Sequence, residues 1–196
     1  MLRWPSVAAK TPIHGSLEVH PVDRVTAGPK SRQRDLQLQR RSFQHACWDH
    51  LVVAPLWVAY EANLGTLLRT CDAVGACMAV PSTEHYRRSL ARGDTLVERP
   101  HIHWVNCSKT SWIDHQRKQG STILAVELAE DATPLTRLEP ARERTVVLLG
   151  HEHRGVPEEV WPLLDAVVEI PMVGKGASLN VAVAGSLVLY RLAGLA

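Results

Sequence analysis

Three short segments carry the side chains whose types and spacing could do chemistry. The first is NLGTLLRTCDAVGA, residues 63–76. Asn63 stands where a helix cap would stand, and Gly75 where that helix would end. Leu64, Leu67, Leu68, Cys71 and Val74 recur at helical spacing as one apolar stripe. Thr66, Arg69 and Asp72 fall on another face, so Arg69 is either an ordinary surface charge or a clamp for an anion. The second segment is LLGHEHRGVPEEV, residues 148–160. A strand ends at Gly150 and Glu152 follows in the loop, where a carboxylate can anchor an arginine or face a ligand. The third is IPMVGKGASLNVAVAGSLVLY, residues 170–190. Pro171 stops a strand at Ile170. Gly174 and Gly176 allow backbone angles that other residues avoid and a close approach to a ligand. Ser178 can cap the helix that follows. That helix carries Leu179, Val183, Leu187 and Tyr190 on one stripe, with alanines and Gly185 between them, so its backbone can pack close to a neighbour.

Two other chemistries are weaker fits. His151, Glu152 and His153, with His101 and His103, suggest a metal site, but no H-E-x-x-H or other established ligand spacing is present. GKGAS suggests a phosphate-binding loop. The pattern G-x-x-x-x-G-K-[ST] is not met, since no glycine precedes Gly174 at the right distance and no Ser or Thr directly follows Lys175.

The elements that must hold these residues alternate. Strands are expected at 51–56, 77–81, 101–105, 122–128, 145–150 and 166–171. Helices are expected at 64–74, 83–92 and 109–119, with a short one after Pro157 and a last one after Ser178. Six strands alternating with helices imply an α/β fold, a mostly parallel sheet with helices on both faces. Ligands of such sheets bind at the carboxyl ends of the strands.

The 196 residues suffice for one domain with a sizeable core, and 45% of them are hydrophobic. Charge is uneven. Residues 1–45 hold eight Lys/Arg against three Asp/Glu, a net of +5, and the remainder 14 against 17, a net of −3. Residues 1–46 read as a basic, proline-containing arm, with a possible helix at 31–46, and 47–196 as the folded domain. A basic arm on a nearly neutral body is either a solvated tail or a contact for an anionic partner, nucleic acid first. Four cysteines without a C-x-x-C pair fit reduced thiols in the cytoplasm. Neither a membrane span nor a secretory signal is apparent.

Taken together, N-x-G-x-x-x-R-T at Asn63–Thr70, L-x-G-x-E-x-x-G-V at Leu148–Val156 and I-P-M-x-G-x-x-x-S-L-N-V-A-x-A at Ile170–Ala184 resemble the SpoU/TrmH branch of the SPOUT RNA methyltransferases. The resemblance covers roughly residues 50–193. It implies methyl transfer from S-adenosyl-L-methionine to a ribose 2′-hydroxyl of RNA, with tRNA preferred over ribosomal RNA. It also implies a deep C-terminal trefoil knot and a homodimer whose active sites are shared between subunits. Matched position by position, Asn63, Arg69, Glu152, Ser178 and Asn180 correspond to the family's catalytic motif residues. Val126, Leu149, Gly150, Ile170, Met172, Ser178 and Leu179 correspond to cofactor contacts. Val126 departs from the Thr often found there, which bears on a side-chain contact but not on a backbone one. No metal and no membrane are implied. Arg32, Arg34, Arg40, Arg41, Arg87, Arg88 and Arg92 are the candidates for contacts to the RNA backbone. The alternatives are a non-catalytic RNA-binding dimer of the same fold and methylation of a base rather than a ribose.

Overall fold

The computed structural model describes residues 51–92 and 100–196, without the side chains of residues 91 and 92. The expected basic arm, with Arg32, Arg34, Arg40 and Arg41, lies outside the described residues, as does the Arg92 side chain.

Among the described residues seven strands form one sheet: β1 (Leu51–Ala54), β2 (Cys77–Pro81), β3 (Ile102–Val105), β4 (Thr122–Val126), β5 (Thr133–Pro134), β6 (Thr145–Leu149) and β7 (Ala166–Glu169). The order across the sheet is β3-β2-β1-β6-β4-β7-β5, and every ladder is parallel. The strand count therefore corrects the expected six. The additional strand, two residues long, is formed by pairing with β7 and not by any periodicity of its own. The helices are α1 (Glu61–Val74), α2 (Glu84–Arg92), α3 (Lys109–Lys118) and α4 (Val181–Leu192). The short helix expected after Pro157 is a 3-10 segment, Glu158–Leu163.

β1 and β6 are buried on both sides because LVVA and TVVLL offer apolar residues to both faces. Alternate residues divide between two cores. Leu51, Val53, Val147 and Leu149 pack with α1, α2 and α4. Val52, Ala54, Val146 and Leu148 pack with Ile113 of α3 and Val160 of the 3-10 segment.

α4 crosses this first core closely. A Cβ on Gly185 would lie 2.7 Å from Leu149 and 2.9 Å from Leu67, so glycine sets how near α4 comes. Thr70 and Ser186 hydroxyls meet at 2.7 Å across the same contact. The face turned inward is Ala182, Gly185, Val188, Leu189 and Leu192. Of the expected stripe, Val183, Leu187 and Tyr190 form the outer face of α4, 38–47% exposed, while Leu179 is corrected to a loop position ahead of the helix, 40% exposed.

Candidate active site

Because every ladder is parallel, all strands deliver their carboxyl ends to one edge. Register puts three of them side by side. Val126 pairs with Leu149 on one side and with Val168 on the other, so Leu149–Gly150, Val126–Glu127 and Glu169–Ile170 leave the sheet together. Gly150 is required by the turn that follows. A Cβ there would lie 2.3 Å from the carbonyl carbon of Gly155, because residues 151–155 fold back on themselves. Gly155 has φ 65°, and Glu127 reaches across to accept from the Val156 N–H at 3.2 Å.

That hairpin aims Glu152 at the start of α1. Its carboxylate accepts from the N–H groups of Ala59 (3.0 Å) and Tyr60 (3.2 Å) and from Asn63 Nδ2 (2.8 Å). Asn63 Oδ1 in turn accepts from Asn180 Nδ2 at 2.9 Å. Asn180 Oδ1 accepts from the N–H groups of Ala182 (2.9 Å) and Val183 (3.2 Å), the opening turn of α4. Three segments distant in sequence are thus locked by one polar chain. Burial of Glu152 works to raise its pKa. The hydrogen bonds from Ala59, its own peptide, Asn63 and Tyr60 outweigh burial, and the carboxyl titrates below the usual carboxylate range.

This geometry corrects both expected caps. α1 starts at Glu61 with Tyr60 at the cap position and no side-chain cap bond. Asn63 is inside the first turn, 7% exposed, and spends its amide on Glu152 and Asn180. α4 is capped by Asn180, not Ser178, which lies two residues earlier in an exposed loop.

Of the remaining candidates, Arg69, Met172, Ser178 and Leu179 are exposed and outside the network, while Leu149 and Gly150 are buried and Val126 and Ile170 half-buried at the strand ends. Arg69 projects from α1 about 9 Å along the axis beyond Asn63 and makes no hydrogen bond or ion pair among the described residues. Residues 171–180 are exposed throughout. Among the described residues none of the peptide groups 172–179 is hydrogen-bonded. Met172 is 43% exposed, Val173 97% and Leu179 40%. Gly174 and Gly176 do not use the positive φ that glycine allows, and nothing lies within 4 Å of a Cβ built on either. Uncovered apolar side chains and free peptide groups stand together there, beyond three strand ends. That surface fits a nucleoside-type cofactor, whose heterocycle offers both an apolar face and a hydrogen-bonding edge.

Of the RNA candidates, Arg88 pairs with Glu84 at 3.4 Å, while Arg87 lies over the Trp104 ring at 4.5 Å. Among the described residues no group of three or more His, Cys, Asp or Glu could hold a metal ion, and no helix is long and apolar enough to cross a membrane. His151 and His153 instead flank Glu152, with Tyr60 Oη 3.1 Å from His153 Nε2. Sequence reasoning missed Glu127 and the Ala59–Tyr60 peptide groups. Glu127 follows β4 directly, at the strand end where a ligand-side carboxylate is to be sought. Peptide groups leave no residue-type signal.

The chain matches the model of the SpoU rRNA Methylase family over residues 50–190. It is 33% identical over 137 residues to the tRNA (guanosine(18)-2′-O)-methyltransferase of Thermus thermophilus, covering 66% of each chain. It is 28% identical to mouse tRNA (guanosine(18)-2′-O)-methyltransferase TARBP1, over 84% of this chain and 11% of that protein. The Aquifex aeolicus TrmH/SpoU tRNA modifying enzyme has a similar structure, with a TM-score of 0.64 and 25% identity over 83% of each chain. An AdoMet-bound rRNA methyltransferase from Sinorhizobium meliloti superposes with a TM-score of 0.62 at 27% identity, over 76% of this chain and 57% of that one. The chain thus spans from about a tenth to about two thirds of the length of these curated relatives. With the family pattern matched across 50–190 on a parallel α/β sheet of the same build, the chain belongs to the SpoU methylase family.

Proposed function

We propose that this chain transfers a methyl group from S-adenosyl-L-methionine to a ribose 2′-hydroxyl of RNA, with tRNA as the substrate class. The observation that carries the reading is the Glu152–Asn63–Asn180 chain beside the exposed 171–180 loop, at the shared carboxyl edge. S-adenosyl-L-methionine supplies the electrophilic methyl when bound. The ends of β4, β6 and β7 with residues Val126, Leu149, Gly150, Ile170, Met172, Ser178 and Leu179 hold it, through free peptide groups more than through side chains. The network fixes the loop's far end at Asn180 and its floor at Glu152, so the acceptor hydroxyl meets a positioned site rather than a mobile one. Arg69 has no counter-charge among the described residues. A guanidinium stays protonated near neutral pH, so it acts by gripping a phosphate of the substrate or by polarising the hydroxyl. The names of the Thermus and mouse relatives support tRNA over ribosomal RNA.

The same reading extends to assembly and topology. Leu179 and the outer face Val183, Leu187 and Tyr190 are apolar and uncovered, and Leu187 and Tyr190 border an apolar cleft of roughly 510 Å³. A second copy of the chain is the occupant that would also bring a further set of site residues to the exposed Arg69. The C-terminal trefoil knot is supported by β6 lying between the earlier strands β1 and β4, with α4 closing over the same core. Residues 1–46 act as the basic RNA-binding arm, with Arg32, Arg34, Arg40 and Arg41 on phosphates. The free thiols of Cys71 and Cys107 support a cytoplasmic setting.

Titration calorimetry with S-adenosyl-L-methionine followed by transfer of labelled methyl to bulk tRNA tests the reading. Binding with transfer is expected. Binding without transfer to any RNA would favour the non-catalytic RNA-binding dimer.

A further inference from the structure

Five of the described cations have a defined charged or aromatic partner, of two kinds. Arg88, Arg117 and Lys118 each face a carboxylate, on Glu84, Asp165 and Asp114 at 3.4, 3.4 and 2.6 Å. Lys109 and Arg87 face indole rings instead, and neither has a carboxylate partner among the described residues. Lys109 Nζ is 5.3 Å from the Trp57 ring centre and the Arg87 guanidinium 4.5 Å from that of Trp104. Both pairs sit where β1, β2 and β3 end. Trp57 follows β1, Ser82 follows β2, and Lys109 opens the helix after β3. Parallel pairing makes this the same edge that carries Glu152.

Arg87 is also held from a second side. Arg87 Nη2 donates to Ser82 Oγ at 2.7 Å, which with the indole fixes the guanidinium on two sides while the residue stays exposed. The neighbouring Tyr86 hydroxyl lies within hydrogen-bond reach of the carbonyls of Pro55, Leu56 and Val58, at 3.2, 3.1 and 3.0 Å. It thereby pins the segment that carries Trp57 and runs directly into the Ala59 and Tyr60 N–H groups that hold Glu152. Burial lowers the Lys109 pKa, so its charge gains from an arriving anion. A cation already ordered on a ring loses less freedom on binding than a solvated one, and with no carboxylate partner among the described residues it has no ion pair to break.

We propose that the rim formed by Trp57–Lys109 and Arg87–Trp104 is a two-seat phosphate contact for the RNA strand flanking the target nucleotide. It rests on the methyltransferase reading above and extends the substrate footprint from the Glu152 network across the ends of β1–β3. Phosphate seats carry no base information, so the rim sets affinity and register and leaves the choice of nucleotide to the site.

The test is tRNA binding by the full chain as a function of salt, for wild type, Lys109→Met, Arg87→Gln, the double variant and Arg117→Gln. Lys109→Met keeps an aliphatic stem on Trp57, and unchanged thermal melting and S-adenosyl-L-methionine affinity certify the fold. The slope of log affinity against log salt is expected to fall by about one for each single variant and about two for the double. Arg117→Gln, whose cation is already paired, is expected to leave it within error. A wild-type slope in both single variants overturns the rim while methylation of tRNA by the same samples leaves the function intact. An equal loss in Arg117→Gln also overturns it, since the effect would then be generic charge. A wild-type chain that binds no RNA overturns the rim and the function together.

Discussion

Two halves of the candidate site differ in how they are held. Glu152, Asn63 and Asn180 form a closed polar chain with bonds of 2.8–3.2 Å, anchored on two peptide N–H groups at one end and on the start of α4 at the other. Arg69 and residues 172–179 are exposed and make no hydrogen bonds among the described residues. The first half is finished by folding. The second is left exposed and unpartnered among the described residues, so folding alone does not fix it. Substitutions should therefore separate: stability effects in the first half, binding and turnover effects in the second.

The hairpin under Glu152 should break most severely. Gly150→Ala puts a methyl against backbone at 2.3 Å, which no rotamer can relieve, and is expected to cost about 3 kcal/mol or more in chemical denaturation. Glu152→Ala is next, at about 2 kcal/mol, because it strands the Asn63 amide and the Ala59 and Tyr60 N–H groups. Glu152→Gln sharpens the point through pH. A carboxyl whose folded pKa is depressed gives stability that is present above its ordinary value of 4.5 and is lost as pH falls below it through the folded pKa. The wild type's advantage over Glu152→Gln should be full near neutral pH and shrink in acid. An advantage independent of pH would mean that charge is not what the network uses. Asn180→Ala removes the cap of α4 and should cost about 1 kcal/mol, measured by melting. Gly176→Ala meets nothing within 4 Å and should leave stability within about 0.5 kcal/mol. Any loss of cofactor affinity in that variant would report directly on close approach to the loop.

Much of this contrast was legible in the sequence and part was not, for physical reasons. Continuous apolar runs such as TVVLL announced buried parallel strands, and Gly75 announced the end of α1, where it has φ 72°. Asn63 misled because an amide ahead of an apolar run reads as a cap. Its actual partners, Glu152 and Asn180, are 89 and 117 residues away, and no local pattern encodes them. Ser178 and Asn180 are both capping types two residues apart, and only the observed helix start selects Asn180. Gly174 and Gly176 allow unusual backbone angles, yet neither has positive φ, since glycine permits that conformation without imposing it. β5 is two residues of edge pairing, too short for any period.

The central claim is ribose methylation by a half-built site that Arg69 completes. The most direct test is single-turnover transfer of labelled methyl to tRNA followed by alkaline hydrolysis, with wild type and Arg69→Ala run together. The predicted result is label in an alkali-resistant dinucleotide for wild type and a loss of about 100-fold or more for Arg69→Ala at unchanged melting temperature, the scale of one lost positioning or polarising group. Label on a base, or near-normal transfer by Arg69→Ala, would contradict it.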